Sequence, residues 1–198
     1  MPQNVAPDPL APLVAELSEA ADLEPPAQAL RHPSLGPRAF VAALETAEYH
    51  VDALKFLAHL LPRREAVWWA WMCAKKEGGD TIPLVERAAL QATERWIAQP
   101  TDEHRREAMR AGEAATFGTP AGCVALAVFL AGGSLAPPGV AEALPSRFAA
   151  AKAVFGSLVF SAVTNEPQLA PDRYRRFLSY GMELADRIRL WEGLQRSA

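Results

Sequence analysis

Residues 66–74 read Ala66-Val67-Trp68-Trp69-Ala70-Trp71-Met72-Cys73-Ala74. These nine side chains carry nothing polar beyond three indole N–H groups and one thiol. At about 100° per residue, Trp68 and Trp71 lie about 60° apart on a helix, and Trp69 about 160° from Trp71. The segment is therefore apolar all round, as a helix buried on every side is. Its flanks agree: Pro62 precedes it, Lys75 and Lys76 fall in its last turn, and Gly78-Gly79 ends it. Trp68 and Trp71 are expected in a core cluster. Trp69, turned away from both, is the candidate for an exposed anchor, because tryptophan is enriched at binding hot spots.

Outward from this segment the chain reads as helices. Alanine and leucine dominate and there are only three isoleucines among 198 residues, which disfavours a sheet. Pro37 to Leu61 carries Phe40, Leu44, Val51, Leu54 and Leu61 on one face, with Pro37 at a first-turn position. Asp80-Thr81 is expected to cap a helix over 82–98, Pro100-Thr101-Asp102-Glu103 to open one over about 102–116 with acids in its first turn, and Thr119-Pro120 to open an apolar stretch over 121–131. Ser146 is expected to cap a helix over 147–164. The last helix, 171–195, places Tyr174, Phe177, Leu178, Gly181, Leu184, Ala185, Ile188 and Trp191 in one stripe. Seven of the 17 prolines fall in residues 1–36, which reads as an arm with one short helix near 10–22, either a docked first helix or a loose tail that orders on a partner. The expectation is an all-α, single-domain, orthogonal or up-down bundle of about eight helices over 37–198, built around two apolar central helices.

Composition narrows the function. The net charge is −3, against a basic nucleic-acid footprint. No apolar run reaches the roughly 18 residues of a membrane span. The N-terminus has no basic or long apolar leader segment, so a cytoplasmic location is expected. Arginine outnumbers lysine 16 to 4, a bias that suggests a GC-rich bacterial genome.

Catalytic equipment is scarce. None of His32, His50, His59 and His104 stands in a zinc or di-iron spacing. Cys73 and Cys123 sit in apolar segments, where thiols are inert. The Gly-bearing turns at 116–122 and 132–134 lack the lysine and the preceding strand of a phosphate cradle. No cofactor, no metal and no enzymatic activity are expected. Arg105-Arg106-Arg110 and Arg173-Arg175-Arg176 read as solvated helix faces. Arg63 and Arg64 stand against the dipole at a helix start, so acidic partners are expected, Glu45 and Glu48 first.

Three motifs carry a resemblance. Leu61-Pro62-Arg63-Arg64-Glu65-Ala66-Val67-Trp68-Trp69-Ala70 resembles the LPxREAVWWA signature of an uncharacterised family of bacterial helical proteins. Gly132-Gly133-Ser134-Leu135-Ala136-Pro137-Pro138 resembles its second signature and Tyr174-Arg175-Arg176-Phe177-Leu178 its third. The resemblance covers about residues 35–190. It implies a protein without assigned catalytic residues, associated with bacterial secretion genes, type VI systems in particular.

These readings lead to a non-enzymatic adaptor that binds another protein, with Arg63, Arg64, Glu65, Trp69, Gly133, Ser134, Leu135, Pro137 and Pro138 as its surface. The alternatives are a small-ligand-binding bundle, which includes an enzyme of unrecognised type, and a scaffold that self-associates through oppositely charged ends.

Overall fold

The computed structural model describes residues 7–137 and 139–197; Pro138 and residues 1–6 of the expected arm lie outside the described residues. Among them are eleven α-helices and no strand, so the chain is all-α. The helices are α1 Ala11–Ala20, α2 Pro25–Gln28, α3 Pro37–Thr46, α4 His50–Leu60, α5 Arg63–Gly78 and α6 Leu84–Ala98. Then follow α7 Asp102–Ala115, α8 Pro120–Leu130, α9 Ala149–Val163, α10 Ala170–Arg187 and α11 Leu190–Ser197. The count exceeds eight because α2 was not foreseen and two expected helices are each broken in two.

Both breaks occur at residues in the left-handed region. The expected helix 37–61 stops at Ala47, and Glu48 turns the chain at φ 62°. The Tyr49 N–H reaches back to the Leu44 carbonyl and the Glu48 N–H to that of Glu45, which is the Schellman pattern. The expected helix 171–195 ends as α10 at Arg187, and Arg189 turns the chain at φ 53°, its N–H reaching back to the Asp186 carbonyl. A helix-period stripe cannot show such a break, because the apolar residues resume in phase after it. Two expected caps also differ. Asp80 and Thr81 lie in a 3-10 turn, and Pro83 and Phe148 precede α6 and α9 without side-chain caps. The segments expected to open α7 and α8 do so through side-chain caps, Thr101 and Thr119 accepting from the His104 and Gly122 N–H groups.

The chain divides into two compact units, where the sequence reading has one domain behind an arm. The first comprises 1–61 and 178–198, the second 62–177. In the first, α1 packs on α3 and α4. The proline-rich segment contributes Val14, Leu17, Leu23 and Ala27 to the buried set. Phe40 and Phe56 meet edge to face at 5.0 Å, a geometry their ring quadrupoles favour. Asp52 is buried and accepts the Glu24 N–H at 2.9 Å, at the start of α2.

In the second unit, α8 packs on α9, α7 and α6, and α5 packs on α9 and α8. Helix α8 is buried on nearly all sides, as expected of a central helix. Its approach to α7 runs over Gly122: a Cβ there would lie 1.9 Å from the Thr116 carbonyl oxygen.

Candidate interaction surface

Helix α5 presents the first candidate residues. Arg63 and Arg64 are exposed in its opening turn, where their charge opposes the local dipole. Both side chains reach to other helix ends of the same unit. Arg63 Nη1 donates to the Ala131 carbonyl at 2.9 Å, at the end of α8. Arg64 Nε donates to the Ile97 carbonyl at 2.7 Å, at the end of α6. Carbonyls in place of the expected Glu45 and Glu48 hold the two guanidinium groups. The reason is general: the last carbonyls of a helix lack intrahelical partners and carry the negative end of the dipole.

Trp69 corrects the sequence reading. It is fully buried, and its indole Nε1–H donates to the Phe177 carbonyl at 2.9 Å. Trp68 and Trp71 are the half-buried pair. Trp71 donates to the Leu90 carbonyl at 3.0 Å and lies 4.7 Å beneath the Lys75 ammonium. The buried residues of α5 are Ala66, Val67, Trp69, Ala70, Cys73 and Ala74. Small side chains there let neighbouring helices come close, and Trp69 fills the gap between them. Trp69 therefore leaves the candidate surface.

The loop after α8 is braced from α7. Gly133 takes φ 69°, and a Cβ on it would lie 3.1 Å from the Arg105 guanidinium. Arg105 is only 4% exposed. It donates to the Phe129 carbonyl and the Ser134 carbonyl, both at 2.8 Å, and stacks 4.6 Å over the Phe129 ring. Arg106 donates to the Ser134 and Ala136 carbonyls at 3.2 and 3.0 Å. Asp102 holds both arginines, accepting from Arg105 Nε at 2.9 Å and Arg106 Nε at 2.8 Å. These two hydrogen bonds, Arg106 first, hold the Asp102 carboxyl below its ordinary range. Inside the loop, Ser134 Oγ accepts the Ala136 and Ala143 N–H groups, and the Leu135 N–H donates to the Ala143 carbonyl at 2.7 Å.

The structure thus brings Arg63 together with the start of the loop at Ala131. Gly133 and Pro137 are exposed, and Glu65, Ser134 and Leu135 are half-buried. A shallow cleft of about 270 Å³ lies beside them, lined by Trp96, Thr101, Asp102, Arg105, Ala131 and Gly133.

Two basic groups read as solvated faces prove partly buried. Besides Arg105, Arg173 is buried and donates to the Ala162, Thr164 and Glu166 carbonyls at 2.9, 2.7 and 3.1 Å. Its Nε pairs with Glu77 at 2.8 Å. A buried arginine is tolerable only when its donors and charge are satisfied, and both are here. The available sequence signal was Asp102 three and four residues before Arg105 and Arg106, a favourable helical spacing.

Residues 40–185 match the model of a family of unknown function, DUF6931. The chain belongs to the DUF6931 family. No curated protein and no solved structure matches it. The part of this DUF6931 chain that matches includes α5, the Asp102–Arg105–Arg106 brace and the loop after α8.

Among the described residues no group of three or more histidine, cysteine and carboxylate side chains could hold a metal. No described helix is long and apolar enough to cross a membrane. Both cysteines are buried, and burial pushes both thiols up, that of Cys123 to about 11.

Proposed function

We propose that this DUF6931 chain is a bacterial, cytoplasmic, non-enzymatic adaptor that binds another protein through the loop after α8 and the start of α5. One observation carries the reading. The loop is anchored by buried Arg105 at Ser134, yet further along it Val140 and Leu144 stay 62% and 66% exposed. A braced loop that presents aliphatic side chains loses little ordering entropy on binding. Val140 and Leu144 are the apolar side chains the loop offers to a partner. Arg63, Arg64, Glu65, Gly133, Ser134, Leu135 and Pro137 frame that loop. An accessory role in a type VI secretion system is the cellular setting proposed, on the motif resemblance.

The test is affinity capture with the wild type and with a Val140→Asp/Leu144→Asp double variant, both checked for native circular dichroism. Arg64→Ala forms a third arm. The reading expects one partner to be lost with the double variant and weakened with Arg64→Ala. Equal recovery of every captured protein by folded variants would remove this surface.

A further inference from the structure

A second cleft in the unit 62–177 is independent of the proposed protein surface. It encloses about 240 Å³ between the end of α5, the start of α6, the start of α8 and the end of α9. Its walls are mostly apolar, with Ala74, Ile82, Pro83, Leu90, Pro120 and Ala121 among them.

The charges that face it are unequal in availability. Glu77 is spent: it pairs with Arg173 at 2.8 Å and Arg176 at 2.7 Å. Arg173 is in turn saturated by three carbonyls and two carboxylates. Arg173 is therefore not open to an anion. Glu86 differs. It is half-buried on the cleft wall and has no hydrogen-bond or ion-pair partner among the described residues. Burial raises its carboxyl above the ordinary value, although it stands in the first turn of α6, where the dipole favours a negative charge. Asn165, exposed to solvent, borders the same cleft at φ 63°.

Among the described residues six large hydrophobic side chains are exposed. Three of them adjoin the lining in sequence: Leu84 (80% exposed) and Val85 between Pro83 and Glu86, and Val163 before Thr164. A half-buried carboxylate without a side-chain partner, beside apolar side chains of a cleft wall, complements a cation carried on a hydrocarbon chain.

We propose that this cleft binds an alkylammonium group, with Glu86 taking the charge and the amide oxygen of Asn165 a further N–H. The volume suits a chain of a few carbons, since each water displaced accounts for roughly 30 Å³ of liquid. The same chemistry is offered by a free aliphatic amine and by a lysine side chain of another protein.

The experiment is an NMR titration of the full chain with n-butylammonium, following the Asn165 side-chain amide and the Ala74 and Ala121 methyl groups. Butyrate and n-butanol are the controls for charge and for hydrocarbon alone. Shifts confined to the cleft are expected with the amine, at least tenfold weaker in Glu86→Gln and unchanged in Glu94→Gln, an exposed acid outside the cleft. N-acetyl-lysine amide forms a separate arm. Saturable binding of it as well assigns the source to a protein lysine, and binding of butylammonium alone assigns it to a free amine. No cleft shifts with either amine, equal binding of butyrate or butanol, or full binding by Glu86→Gln would overturn the proposal.

Discussion

The indole N–H of Trp69 donates to the main-chain carbonyl of Phe177 at 2.9 Å, across 108 residues of sequence. The bond ties α5 to α10 inside the unit 62–177 and leaves no polar atom of the tryptophan unsatisfied. Trp69→Phe removes the donor and part of the ring. It is expected to lower stability by about 1–3 kcal/mol, the sum of a lost buried hydrogen bond and a small cavity. Trp68→Phe, at a half-buried site, should cost clearly less. Urea unfolding of the two variants checks the order, and equal midpoints would contradict the burial pattern of α5.

Acid should loosen the brace on the loop after α8. The Asp102 carboxyl is held low by hydrogen bonds from Arg106 and Arg105. A depressed folded pKa contributes stability that is fully present above the unfolded value, about 3.9. It is lost as pH falls through the folded value. Wild type should therefore exceed Asp102→Asn in stability at pH 6, and the gap should close below about pH 4 as the wild-type carboxyl protonates. Urea midpoints of both proteins across that range measure it. A gap that stays constant into acid would mean the carboxylate charge contributes nothing.

Glu48 stands at φ 62° where the Schellman turn ends α3. A side chain with a Cβ is disfavoured in that region, and glycine is not. Glu48→Gly is expected to raise stability by about 0.5–1 kcal/mol, the relief of the left-handed strain less the added freedom of the unfolded chain. Ala53→Gly in the interior of α4 should act in the opposite direction. Thermal unfolding of both variants gives the signs directly.

The residues divide by what kind of information fixes them. The helical class, the buried character of α8, and the helix starts at Thr101-Asp102 and Thr119-Pro120 follow from local composition and spacing, because helix propensity and helix-start signals act within a few residues. The stripe of Phe177, Leu178, Leu184 and Ala185 was likewise readable from period alone. The kinks at Glu48 and Arg189 were not, since neither residue type marks a left-handed turn as glycine would.

The surface residues show the same division. Arg63, Gly133 and Ser134 were legible as candidates from their motifs, and the structure joins the arginine to the loop's first carbonyl, Ala131. Arg105 and Arg173 were legible only as charges on helices. Their partners lie on other helices or at helix ends, and nothing in a linear pattern tells which carbonyls will lack a donor.

By itself the sequence determined that this chain folds into helices with a tryptophan-rich, apolar α5, because those properties are summed from neighbouring residues. The tertiary structure alone decided which tryptophan is enclosed, which arginines are buried, and that the loop after α8 is braced. Those outcomes depend on which helix ends and small-residue faces meet in space, and the free energy of a buried group is set by its neighbours there.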